Sequence, residues 1–192
     1  MIQAGNMRFL LMVMGGLLAS QTMAQITSLE APGNLAPTRD PGCIETADAD
    51  NQLSPADLSL GAAACMRKKD YASAVRLIVL MQLRAAFDAQ RVTDVTAHQA
   101  GQVLGINLIG QIDEADRPVF ESAFNALGDS GSAWHRSFCR EQTNADPPGY
   151  YPAYMIQHGL RAFRGDVENP LKVGFDPSSE WASLLREYLH CE

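Results

Sequence analysis

The stretch Ser54–Val92, SPADLSLGAAACMRKKDYASAVRLIVLMQLRAAFDAQRV, decides the fold. Ser54 can cap a helix, Pro55 suits its first position, and Asp57 favours the positive end of its dipole. Leu58, Ala62 and Cys65 recur at helical spacing, which predicts a first helix over about residues 54–68. Lys69-Asp70 interrupts the pattern. Ala74, Ile78, Met81 and Ala85 resume it, predicting a second helix over about residues 71–92. That helix is apolar around most of its circumference between residues 75 and 83, so it is expected in the centre of the domain.

Downstream, a third helix is expected over about residues 95–111, carrying Val103, Leu104, Ile106, Leu108 and Ile109. Its Gly101, Gly105 and Gly110 imply close helix approach or a kink. Asp116 can cap a fourth helix, with Pro118 in its first turn and Gly128 closing it. A fifth is expected over residues 132–143, stopping before Pro147-Pro148. Tyr151 to Phe163 reads as helical, and Asp176-Pro177 opens a final helix that reaches about residue 190. No strand-like alternation persists for more than a few residues. The expected architecture is all-α, a compact bundle of about six to seven helices over residues 54–192. An extended leader at 25–53, marked by Pro32, Gly33, Pro37, Pro41 and Gly42, precedes it.

The first 24 residues read as an export signal. Met7-Arg8 supplies a start and a positive charge, Phe9 to Ala19 forms a short apolar run, and Thr22-Met23-Ala24 offers a small-x-small exit. Met7 is a second candidate initiator. The apolar run is about half of the roughly 20 residues that span a bilayer. Cleavage after Ala24 removes Arg8 and no acid, taking the net charge from −7 to −8. No apolar run long enough to cross a membrane remains, and no cysteine stands where a lipid anchor would need one. The expected location is the periplasm or the exterior, with no membrane association after cleavage.

Four cysteines, Cys43, Cys65, Cys139 and Cys191, survive that cleavage. An even count in an oxidising compartment favours two disulfides. Of three possible pairings, Cys43–Cys65 with Cys139–Cys191 is preferred, because each joins the end of a segment to a nearby helix. A chain with 15 Lys+Arg against 22 Asp+Glu, whose one basic cluster is Arg67-Lys68-Lys69, is not built to neutralise nucleic-acid phosphates.

Lys69-Asp70-Tyr71-Ala72-Ser73-Ala74-Val75 resembles the turn between the two helices of a tetratricopeptide or Sel1-like repeat. In that family a Gly-Asp-Tyr-x-x-Ala-Ile pattern joins helix A to helix B. The similarity covers one unit, about residues 55–88, with Lys69 in place of the usual glycine. No second copy follows at the 34-residue period. The resemblance implies a helical hairpin and a bias toward protein binding.

Four constellations bear on chemistry. Gly128-Asp129-Ser130-Gly131-Ser132 has the residues of a serine-protease nucleophile segment, but it lies between helices, where Gly, Asp and Ser serve as turn residues. His135, Cys139, His190 and Cys191 form no known zinc spacing, and disulfides explain the cysteines more simply, so no metal and no cofactor are expected. The densest feature is Pro147-Pro148-Gly149-Tyr150-Tyr151-Pro152-Ala153-Tyr154-Met155-Ile156-Gln157-His158-Gly159. Tyr151, Tyr154 and His158 recur at helical spacing and are expected along one helix face. They either pack this segment on the core or, with Tyr150, present aromatic anchors to a partner. A second polar concentration, Arg91–Gln99, offers Asp94 or Thr96 as a cap and His98 as a recognition group.

Two functions compete on these residues. The first is a non-enzymatic periplasmic protein-binding protein. Small, exported, acidic, disulfide-braced helical proteins look like bacterial immunity proteins, which block a toxin delivered to the same compartment. The partner would then be another protein with a basic surface. The second is a small envelope enzyme using His158 or His98 as an acid–base group, although no nucleophile–base pair accompanies either.

Overall fold

The computed structural model describes residues 30–191. The export signal and the Gln25 cleavage point lie outside the described residues. Eight α-helices follow one another: α1 (Pro55–Arg67), α2 (Tyr71–Arg91), α3 (Ala100–Ile109), α4 (Arg117–Asn125), α5 (Ala133–Asn144), α6 (Ala153–Ile156), α7 (Leu160–Phe163) and α8 (Pro177–Glu187). Short 3-10 turns occupy Thr46–Asp48 and Val95–Gln99. Among the described residues, the one β interaction is an isolated antiparallel bridge between Val92 and Leu171. The fold is all-α.

The start of α1 is fixed reciprocally. The Ser54 hydroxyl accepts the Asp57 N–H, and the Asp57 carboxylate accepts the Ser54 N–H. This capping box satisfies two otherwise orphaned donors. Asp57, fully buried, also accepts the N–H groups of Thr38 and Arg39 at 2.6 and 2.7 Å. One carboxylate therefore starts the helix and lashes the proline-rich leader to it. The Cys43–Cys65 disulfide ties the same leader to the last turn of α1. Arg84 holds it from below, donating to the carbonyls of Ala49, Asp50 and Leu53.

α1 and α2 form a hairpin across Lys68-Lys69. Lys69 takes a left-handed backbone (φ 61°), a conformation that glycine adopts without strain. Its ammonium reaches Asp116. Asp116 consequently does not cap α4 with its side chain, as its place in the sequence suggested; an ion pair claims the carboxylate instead. α2 is central, packing on α1, α3, α4 and α8. Leu77, Leu80, Met81, Leu83 and Phe87 are completely buried, with Leu58 and Ala62 of α1. A Cβ on Gly101 would stand 2.5 Å from the Ala85 Cβ, so the glycine sets how closely α3 approaches α2.

The expected third helix is interrupted. Asp94 caps a 3-10 turn at Val95–Gln99 by accepting the Thr96 N–H, and only then does α3 begin. The expected helix over Tyr151–Phe163 is also broken, into α6 and α7 of four residues each. The cause is Gly159, extended at ψ 156° and pressed so closely on Asp94 that a Cβ would stand 2.3 Å from its Oδ2. Tertiary contact overrides helical propensity there.

Candidate functional site

The polar feature that organises the molecule lies on α2. Arg84, Asp88 and Arg91 recur at spacings of four and three on a helix whose neighbouring positions are apolar, so all three point into the protein. Asp88 is completely buried. Arg91 answers it from one turn away, with Nε 2.9 Å and Nη2 2.7 Å from Asp88 Oδ1. The other oxygen, Oδ2, accepts the hydroxyls of Tyr150 at 3.0 Å and Tyr154 at 2.9 Å. Arg91 closes the ring by donating to the Tyr150 carbonyl at 2.9 Å, and its guanidinium lies over the Phe87 and Tyr150 rings.

A buried charge is tolerable only when every lone pair and proton is answered. Here the carboxylate has four donor contacts and one full countercharge. Burial still outweighs them and pushes the Asp88 carboxyl up to about 6, against the pull of Arg91 and the two tyrosines. Burial, reinforced by the Asp88 charge, drives both phenols well above their ordinary value. The chemical consequence is positional. The network pins the Pro147–His158 segment to α2.

The expected aromatic stripe does not form. Tyr154 is 2 % exposed and Tyr150 is 8 % exposed, both turned into the core, whereas Tyr151 is 59 % exposed and precedes α6. Pro152 breaks the helical register that would have aligned Tyr151 with Tyr154 and His158. His158 is half-buried, with Nδ1 2.8 Å from Asn34 Oδ1, and burial lowers its basicity. His98 donates Nε2–H to the Val92 carbonyl at 3.0 Å. Both imidazoles hold neighbouring chain in place, and among the described residues neither bonds a nucleophile or carboxylate. Tyr150, Tyr154, Asp88 and Arg91 come together; His98, His158 and Tyr151 stand apart from them.

The backbone around this network is equally constrained. Asp94 accepts the Arg161 N–H at 3.0 Å, and Thr96 Oγ1 accepts the Leu160 N–H at 2.9 Å. Thr93 N–H donates to the Pro170 carbonyl, and Lys172 N–H to the Arg91 carbonyl. Residues 91–99 and 150–172, the two polar concentrations of the sequence, are thus one braced unit. Asp88 is not among the site residues the sequence spacing points to. Its signal was present as a carboxylate among apolar positions of α2, in phase with Arg84 and Arg91.

The cysteines pair as Cys43–Cys65 and Cys139–Cys191, the preferred arrangement. His135, four residues before Cys139, lies near the second disulfide, but both sulfurs are spent on each other and offer no thiolate to a metal. Among the described residues, no helix is long and apolar enough to cross a membrane. No family model, curated protein or solved structure matches the chain.

Proposed function

We propose that this chain is an exported, non-enzymatic protein that binds another protein through the surface braced by the Asp88 network. The observation that carries the reading is the apolar character of that surface. Val95 (72 % exposed), Tyr151, Leu160 and Phe163 all stand out to solvent on segments whose backbone is locked from behind. The Thr96–Leu160 hydrogen bond sets the backbone beside Val95 against the start of α7, and Leu160 and Phe163 are three residues apart. Aromatic and aliphatic anchors on a preorganised backbone lose little entropy on binding.

The remaining features support the same reading. A mature charge of −8 suits a partner with a basic surface. The export signal and two disulfides suit the periplasm. The α1–α2 hairpin would serve as a single tetratricopeptide- or Sel1-like unit. A toxin delivered to the periplasm, neutralised by this chain as an immunity protein, is the specific form of the proposal.

Expression of the full chain in a bacterium, followed by fractionation and intact mass, should return a periplasmic product beginning at Gln25. Cross-linking in periplasmic extract should then capture a basic protein, and Tyr151→Ser with Phe163→Ser should weaken that capture by about tenfold or more. Both side chains are exposed, so the melting temperature should hold. Identical capture by wild type and double variant, or none by either, would refute the binding surface.

A further inference from the structure

The surface of α5 carries a feature that the binding reading does not use. A groove of about 550 Å³ is lined by Ser130, Gly131, His135, Arg136, Arg140 and His190, with Cys139 at its wall. Among the described residues no carboxylate lines it, in a chain where acids outnumber Lys+Arg by 22 to 15. Arg136 and Arg140 are one helical turn apart on the same face of α5. Arg136 donates to the Gly131 carbonyl, and Arg140 has no ion pair among the described residues. The groove is therefore locally cationic and of a size to hold a tripeptide.

At its wall, His135 Nδ1 accepts the Gly131 N–H at 3.0 Å, which leaves the proton on Nε2. That Nε2–H donates to the Leu189 carbonyl at 2.7 Å and lies 3.7 Å from Cys139 Sγ. Nε2 and the two sulfurs of Cys139 and Cys191 all fall within 4.8 Å of one another. The other disulfide has the opposite surroundings. Cys43 Sγ lies 3.9 Å from the Asp70 carboxylate, and no imidazole belongs to that cluster. A departing thiolate is stabilised by nearby N–H donors and cations and opposed by a carboxylate. Electrostatics thus separate the two bridges.

We propose that Cys139–Cys191 is a thiol-exchange site for small anionic peptide thiols, the chemical class of glutathione. The thiol binds with its carboxylates on Arg136 and Arg140 and loses its proton to solvent. Its sulfur attacks Cys139 Sγ, forming a mixed disulfide there. The Cys139–Cys191 bond breaks, and its electron pair leaves on Cys191 Sγ as a thiolate within 4.8 Å of His135 Nε2. One disulfide replaces another, so no further oxidant or reductant is consumed. Departure of Cys191 also frees the left-handed backbone at His190 (φ 56°) and the Leu189 carbonyl held by His135.

The test uses the oxidised full chain with reduced glutathione, quenched by alkylation and read by peptide mapping. The expected first product carries glutathione on Cys139 and alkyl on Cys191, with Cys43–Cys65 intact. Glutathione should react faster, relative to cysteamine, than in a peptide containing an isolated disulfide. Arg136→Gln with Arg140→Gln should cut the glutathione rate about tenfold and leave the cysteamine rate the same or higher. In the wild-type protein, added salt should slow glutathione selectively, a readout that does not depend on the variant's folding. First opening at Cys43–Cys65, no adduct while the fold persists, or a glutathione-to-cysteamine ratio indifferent to both salt and the arginines would each overturn the proposal.

Discussion

Tyr154→Phe isolates the Asp88 network, because it removes one hydroxyl and keeps the ring that packs in the core. The lost bond is the 2.9 Å donation to Asp88 Oδ2, and the acceptor is fully buried. A hydrogen bond to an ionised acceptor contributes about 1.5–3 kcal/mol, so the expected loss at pH 7.5 is about 2 kcal/mol. The pH dependence sharpens the test. The folded Asp88 carboxyl, at about 6, lies above its ordinary 3.8, so the native state holds more protons than the unfolded chain between these values. Stability from this group is therefore greatest below about pH 4 and falls as pH rises through 6, by roughly 3 kcal/mol in total. Removing a donor to the charged form raises the folded value further and extends the fall to higher pH. The loss in Tyr154→Phe should consequently be larger at pH 7.5 than at pH 4.5. Urea unfolding followed by circular dichroism at both pH values measures it, with Tyr150→Phe completing a double-mutant cycle on the shared oxygen. A loss below about 0.5 kcal/mol at pH 7.5 would show that the hydroxyl does not serve Asp88. Equal losses at both pH values would refute the linkage.

Asp57→Ala should cost about 2 kcal/mol or more, since it removes the α1 capping box and the charged acceptor of the Thr38 and Arg39 N–H groups. Limited proteolysis should then cut residues 30–40 well before the helical domain, a change that Ser54→Ala alone should not produce. Gly101→Ala should cost about 1–3 kcal/mol by forcing α3 away from Ala85. Gly110→Ala, which meets only the carbonyls of its own helix, should stay within about 0.5 kcal/mol in the same melting assay.

Local chemistry made much of this protein readable from its residues in order. Ser54, Pro55 and Asp57 start α1, Asp70 caps α2 by accepting the Ser73 N–H, and Asp176 caps α8. These are interactions within one turn, fixed by residue type and spacing, and the helix starts follow from them; the central place of α2 follows from its apolar circumference. The disulfide partners are legible from segment order, each bridge joining the end of a segment to a nearby helix. Tertiary structure decided the rest, because burial depends on what packs from outside the segment. The spacing of Tyr151, Tyr154 and His158 predicts one face only if one helix carries all three, and Pro152 leaves Tyr151 outside α6, which itself ends at Ile156 before Gly159 presses against Asp94. Whether Tyr154 faces solvent or core was settled by a carboxylate 66 residues earlier, whose desolvation can be offset only by gathering donors from Tyr150, Tyr154 and Arg91. The cationic groove likewise exists only after the C-terminal segment folds back on α5, placing His190 in the same groove as Arg140 and Cys191 within bonding distance of Cys139. Sequence spacing carries what one turn of helix can enforce; pairings across tens of residues are enforced by the cost of leaving buried charge unanswered.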